Sequence, residues 1–327
     1  MTRAALLIIA SCTALSAQVQ SVVVSREAYL MGTRAELVVH AENRHVGMAR
    51  LEHALDALED AEAELSTWRP TSDISALNQY PIGMPWMASK RLCRLFQDIW
   101  TWHREAGGAF DPGIGQLLGA WDIHGDGAIP SAKRLEQAMA ASGLKLLRFD
   151  QNTCTVTRLG DATIDVGAFG KGEALDRAGD VLGHLPWMIN LGGQISVGGR
   201  APAGGSWPVS IAHPRERDAA TVHVRLTSGS LSTSAGSERD LKVNGVRIAH
   251  HLDPRTGRPA AFDGSVTVWH QRGLIADMLS TALYVMGPAG LQWAEERGLA
   301  ACYLTPDGGS VRMEATTAFR TLLSAQE

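Results

Sequence analysis

Ile164-Asp165-Val166-Gly167-Ala168-Phe169-Gly170-Lys171-Gly172-Glu173-Ala174-Leu175-Asp176 is the stretch that organises this chain. Its start predicts a short apolar strand, its middle a glycine-punctuated turn and its end a helix. Glycine puts no Cβ between the backbone and a ligand, and the N–H groups that open a helix carry partial positive charge, so the turn suits a phosphate. Glycine-rich strand-to-helix turns also serve tight packing alone, so the stretch fits a phosphate cradle and a packing turn equally. The spacing is neither Gly-x-Gly-x-x-Gly nor Gly-x-x-x-x-Gly-Lys-Ser/Thr, so the Rossmann and Walker fingerprints are both absent.

The 327 residues could form one large domain or two small ones with a full core. A formal net charge of −4, with no stretch dense in Lys and Arg, argues against nucleic acid as the main partner. Small anions can still be held by local Arg, Lys or a metal.

At the N-terminus, Met1-Thr2-Arg3 precedes the apolar run Ala4 to Ala10, which is too short to span a bilayer and reads as an export signal over residues 1–18. Ile9-Ala10-Ser11-Cys12 looks like a lipoprotein cleavage box that would leave Cys12 acylated; ordinary cleavage near Ala14 to Ala17 is the alternative. Residues 19–327 would then form the working domain on the periplasmic side of the envelope, with a lipid anchor to the inner membrane if Cys12 is acylated. Cys93, Cys154 and Cys302 are widely spaced, with no Cys-x-x-Cys pair, which argues against a zinc site or a disulfide framework and for small buried hydrophobes.

Strands are expected at Ser21 to Ser25 and Ala35 to His40, flanking Met31-Gly32-Thr33. Met48, Leu51, Leu55, Leu58 and Leu65 mark one apolar stripe of a helix from Arg44 to Leu65, ended before Pro70. Thr71 to Asn78 is a loop or a single helical turn, a second helix runs from about Ser89 to Ala106, and Ser131 caps a third. From Lys145 short strands and glycine turns dominate, including a tight hairpin around Asn244-Gly245 with both turn residues at positive φ. A last helix is expected from Leu274 to Met286. Hairpins mixed with scattered helices, without steady βαβ alternation, indicate an α+β fold.

Three carboxylates stand out: Asp111 within Phe-Asp-Pro-Gly, Asp165 before the glycine turn, and Asp277 early in an apolar helix with Thr281 four residues on. The last pair shares a helix face and could give two oxygens to a hard cation such as Mg²⁺. The plainer account makes Asp277 a helix-dipole charge and Thr281 a back-bonded hydroxyl. His250 and His251 lie in Ala249 to Gly257; if that segment is a strand they point to opposite faces, so at most one serves a given site. No nucleophile elbow or His-Glu-x-x-His helix is present.

In order along the chain, Met31-Gly32-Thr33, Leu65 to Trp68 leading to Ser75-Ala76-Leu77-Asn78, Gly108 to Asp111, Asp165 to Asp176, Ile189 to Gly193, His250 to Gly257 and Ala276 to Leu283 resemble the conserved blocks of the ApbE-type FAD:protein FMN transferases. The resemblance implies a T-fold-like α+β catalytic unit that uses FAD and Mg²⁺, transfers FMN to a Thr or Ser hydroxyl of an exported acceptor flavoprotein, and releases AMP. It further implies that Asp277, Thr281 and the Ala168 carbonyl hold the metal. Met31, Trp68, Ala109, Phe110, Asp111, Asp165, Lys171 and His251 would contact FAD, and His250 would help deprotonate the incoming hydroxyl. Three positions depart from the family pattern: Trp68 stands where Tyr is common, Ala168 takes one glycine of the central turn, and Glu173 stands where Tyr is frequent. The alanine is compatible only if its position does not need positive φ. An FAD-binding or FAD-hydrolysing protein of the same fold is the alternative activity, and a structural envelope lipoprotein the alternative class.

Overall fold

The computed structural model describes residues 21–201, 205–216, 218–236, 240–243 and 245–323. The expected signal over 1–18, with Cys12, and Asn244 of the expected hairpin turn lie outside the described residues.

The frame is an eight-stranded sheet in which every neighbouring pair is antiparallel. Its strands, in spatial order, are Val22–Leu30, Thr33–Ala41, Trp187–Leu191, Gln194–Gly198, Gly229–Ala235, Ser265–His270, Ala300–Asp307 and Ser310–Ala315. Spatial order follows chain order, so short hairpins make several of the links and the α+β expectation holds. The first hairpin turns on Met31 (φ 52°) and Gly32 (φ 70°), the pair of positive φ angles that a two-residue turn of this twist requires.

From the strand Gln194–Gly198 onward both faces of the sheet are covered, so strand alternation sorts residues between two cores, while the strand Val22–Leu30 leaves Val23 and Tyr29 exposed on the face away from the helices. On one face lie three helices, Arg44–Leu65, Gly170–Leu182 (the turn helix) and Gly273–Met286 (the core helix). The helix Arg44–Leu65 has the expected bounds; Asn43 caps it by accepting from Val46 N–H at 3.0 Å. It buries Gly47, Leu51, Ala54, Leu58, Ala61 and Leu65, so its stripe includes two alanines, while Met48 and Leu55 are partly buried. On the other face, the hairpin of Trp207–Ala212 with Ala220–Leu226 and the short helix Thr317–Arg320 pack on Val197, Leu231, Cys302 and Leu304.

Between the helix Arg44–Leu65 and the turn helix, residues 66–169 form a lobe: the helices Asp73–Gln79, Lys90–Glu105, Gly115–Trp121 and Ala132–Ala140, and a sheet of Pro85–Met87, Thr155–Arg158 and Leu147–Asp150. Ser72, Ser89 and Ser131 cap three of these helices, each accepting from an N–H three residues on. The expected free thiols are corrected here: Cys93 and Cys154 are joined by a disulfide across a sequence separation of 61, fastening the helix Lys90–Glu105 to the entry of the strand Thr155–Arg158. Cys302 is free and buried, as expected of a small hydrophobe.

The strand expected at Ile164 does not form. The Asn78 side-chain amide takes the place of a ladder partner: Ile164 N–H donates to Asn78 Oδ1 at 2.7 Å, and Asn78 Nδ2 donates to the Ile164 carbonyl at 2.8 Å. Asp165 N–H then donates to the Pro112 carbonyl at 2.8 Å, so the bend is held by the helix Asp73–Gln79 and by the Pro112 loop before it enters the turn helix at Gly170.

Candidate active site

Asp277 is the centre of the site. It lies on the first turns of the core helix and is buried, 3% exposed, where a bare carboxylate would be costly. Its partners come from two elements, the turn helix and the strand Gly229–Ala235. Gly172 N–H of the turn helix donates to Oδ2 at 3.0 Å, the Ser232 hydroxyl donates to Oδ1 at 3.3 Å, and Lys171 Nζ lies 3.6 Å from Oδ1. A helix-opening N–H that could have met a phosphate is therefore committed to the protein's own anion, while the Lys171 side chain keeps partial exposure beside it.

The glycines of the bend explain this closeness. A Cβ on Gly172 would lie 2.3 Å from the Gly273 carbonyl oxygen, so glycine here lets the turn helix and core helix touch through their backbones. Tight packing is thus the structural reason for Gly172, and it brings Lys171 to Asp277. Ala168 is not among the positive-φ residues, which are Met31, Asp122 and Cys154 besides glycines, so an alanine is accommodated there. Asp176, further along the turn helix, caps the core helix, accepting from Gly273 N–H at 2.5 Å and Leu274 N–H at 3.1 Å. Burial pushes its carboxyl up to about 6 in spite of those donors.

Positions 277, 281 and 284 fall on one stripe of the core helix, spanning about 10 Å at 1.5 Å per residue. The Thr281 hydroxyl is 3.5 Å from that of Ser234, and Ser280 bonds to both Ser232 and Ser234. At the far end Tyr284 stacks against His251 with centroids 4.5 Å apart, and His251 against His250 at 3.9 Å. The two histidines lie in a bend outside the strands, so the expectation that they face opposite sides is corrected: their rings stack on each other. His250 Nδ1 is 3.0 Å from Asp240 Oδ1, and Asp240 also pairs with Arg247 at 2.5 Å. Burial of Asp240 works against its charge, but the hydrogen bonds from His250 and Arg247 outweigh it and hold the carboxyl below the usual range. An ionised carboxylate only accepts, so Nδ1 carries the proton and Nε2 of a neutral His250 is left as the basic nitrogen.

On the lobe side of the bend, Asp165 Oδ1 accepts from Gly167 N–H at 2.8 Å and Oδ2 lies 3.3 Å from His124 Nε2. Trp68 meets His124 edge to face at 5.3 Å. Met31 reaches the same bend: a Cβ on Gly170 would lie 3.4 Å from its Cε, and its N–H donates to Glu62 at 3.1 Å. Asp111 braces a loop, accepting from Gly113 and Leu144 N–H at 2.8 and 3.1 Å, and burial lifts its carboxyl above the usual range despite His103 nearby. Ala109 and Phe110 are buried in the core, with Ala109 N–H donating to the Ala106 carbonyl at 3.1 Å and the Phe110 carbonyl 2.9 Å from His103 Nδ1.

The sequence profile of the ApbE family matches residues 31–303. The chain belongs to the ApbE family. It is 26% identical over 277 residues to the FAD:protein FMN transferase of Vibrio cholerae, covering 82% of each chain. It is also 26% identical over 292 residues to the enzyme of the same name from Escherichia coli, covering 85% of this chain and 83% of that one. Among solved structures, the ApbE protein of Thermotoga maritima superposes with a TM-score of 0.84 at 26% identity over 92% of this chain and 99% of that one. The apo flavinyl transferase ApbE of Pseudomonas stutzeri gives 0.82 at 28% identity, over 94% and 99%.

Within this ApbE framework, several residues at the site carry no motif that pointed to them. Ser230, Ser232 and Ser234 place hydroxyls on the inward face of a strand, 1%, 2% and 6% exposed. Hydroxyls at alternate core positions were a legible sign of chemistry, since a core strand ordinarily puts apolar groups there. Asp240 and His124 gave no such sign; each is a polar residue in a loop. Among the described residues no group of three or more His, Cys, Asp or Glu could hold a metal. An ion beside Asp277 would therefore rest on one carboxylate and neutral oxygens, a set that suits Mg²⁺, which keeps waters and bridges to substrate phosphate.

Proposed function

We propose that this protein moves FMN from FAD to a Thr or Ser hydroxyl of an acceptor flavoprotein, with Mg²⁺, releasing AMP. Beyond family membership, the observation that carries the proposal is the meeting of Lys171, Asp277 and the bend at 165–171, with Tyr284 about two helical turns along the same stripe and the rings of His251 and then His250 packed in turn beyond it. Phosphoryl-type transfer asks a protein for position and charge more than for covalent chemistry. Asp277, Thr281 and the Ala168 carbonyl would hold a Mg²⁺ ion, which when bound supplies charge neutralisation across a diphosphate.

The other steps fall to the chain's own groups. Lys171 neutralises further charge on the FAD diphosphate. His250, oriented by Asp240 as an acid orients a catalytic histidine, takes the proton of the acceptor hydroxyl on Nε2. Its oxygen bonds to the phosphorus of the FMN half, and the bond to the AMP phosphate oxygen breaks. Met31, Trp68, Asp165 and His251 line the dinucleotide, and the Ala109 to Asp111 loop contributes backbone. A disulfide is the expected state of paired cysteines in an oxidising compartment, so Cys93–Cys154 supports an exported, periplasmic protein, anchored by lipid if Cys12 is acylated.

The test incubates the protein with FAD, Mg²⁺ and a candidate acceptor, then reads flavin fluorescence on the acceptor after denaturing electrophoresis, with AMP measured in parallel. Stoichiometric AMP and bound flavin support transfer. AMP without bound flavin supports FAD hydrolysis in its place.

A further inference from the structure

Trp68 is 72% exposed, yet it is not left loose. Its backbone N–H donates to Ser66 Oγ at 3.2 Å, in a loop that Ser72 and Ser75 tie down by donating their hydroxyls to the Ser66 carbonyl at 2.6 and 3.2 Å. Its ring meets the His124 ring at an interplanar angle of 77°, and His124 Nε2 reaches Asp165 Oδ2. Holding an exposed indole still costs rotamer freedom without the return of burial, which is reasonable where the ring serves as a prepared stacking surface.

His124 is itself well anchored. It sits in a tight loop after Asp122 (φ 49°), where Gly125 and Gly127 N–H both donate to the Asp122 carbonyl, at 3.1 and 3.2 Å. At Gly127 a Cβ would lie 2.7 Å from Val243 Cγ2, so this loop packs on the hairpin Leu241–Val243 with Val246–Ile248, which leads directly to His250. The loop thus joins the Trp68 and Asp165 side of the site to the His250 side.

We propose that His124 is a positioning residue for FAD: it fixes the Trp68 indole and the Asp165 carboxylate so that a planar ring of the dinucleotide stacks on the indole. The inference rests on the transferase reading above. His124 touches no reacting atom, so its loss acts on binding.

Three variants divide its contacts. His124→Phe keeps a ring beside Trp68 and removes the donor, His124→Gln keeps a donor and removes the ring, and His124→Ala removes both. For His124→Ala the KM for FAD is expected to rise about tenfold with kcat changed less than about twofold, and each conservative variant to rise by roughly threefold. In a Trp68→Ala background the effect of His124→Ala shrinks, as expected of coupled groups. Near-ultraviolet circular dichroism of the flavin-free protein should differ between wild type and His124→Ala, and the difference should vanish when Trp68 is also Ala. An unchanged KM, a loss in kcat at constant KM, or a dichroism difference that persists without Trp68 overturns the proposal. A wild-type protein that neither binds FAD nor labels an acceptor defeats the transferase reading and the ligand assigned to His124 with it; the flavin-free dichroism tells that outcome from a failure of the ring contact alone.

Discussion

At the scale of single residues, the site is built from groups whose protonation and bonding are set by burial. Asp176 shows this most directly. Its carboxyl is raised from 3.8 to about 6 by burial at the start of the core helix. A raised acid favours the protonated form in the folded state, so its stabilising contribution is full below about pH 4 and is lost as pH rises through about 6. The unfolding free energy of wild type relative to Asp176→Asn should therefore fall between those limits, as read by urea titration at several pH values; a constant difference contradicts the assignment. The residues that the sequence marked, Lys171 and Asp277, meet directly. His124 and Asp240 were illegible because each acts through a partner outside its own local pattern, Asp165 at 41 residues for His124 and His250 at ten residues, beyond a hairpin, for Asp240. A loop polar residue gives no sign of what it will touch.

At the scale of elements, the bend works because two helices approach through glycine. Gly172→Ala should push the turn helix from the core helix, since the added Cβ meets backbone that cannot rotate away. A loss of about 1–3 kcal/mol is expected from calorimetry or denaturant unfolding, together with weaker FAD binding as Lys171 leaves Asp277. The sequence pattern gave the helices Arg44–Leu65 and Gly273–Met286 to within a residue, because apolar periodicity and end signals are local. It missed the replacement of a strand at Ile164 by the Asn78 amide, which is a contact across 86 residues. Cys93 and Cys154 likewise carry no local sign of their pairing. Cys93→Ser should lower unfolding stability by about 2–4 kcal/mol, the range for a cross-link closing a loop of this order, and reduction of wild type should match it.

At the scale of the whole molecule, the antiparallel sheet separates a chemical face from a purely structural one. Hydroxyls of Ser232 and Ser234 point to the helix side, while Leu231 of the same strand points to the core that holds Phe319. Phe319→Ala should cost about 3–5 kcal/mol of stability while leaving the KM for FAD unchanged below the melting range, as thermal scans and steady-state assays can show. The fold class was legible from hairpins interspersed with helices, and the family from its ordered blocks. The pairing of blocks across the bend is a tertiary fact.

If the transferase reading holds, the carboxylate of Asp277 beside Lys171 serves FMN transfer from FAD. Mass spectrometry of an acceptor incubated with the protein, FAD and Mg²⁺ tests it most directly, wild type against Asp277→Ala. Wild type should leave the mass of FMN on a Thr- or Ser-containing peptide, and the variant at least about a hundredfold less. Equal labelling by both proteins, or AMP release from wild type with no mass added to the acceptor, would contradict it.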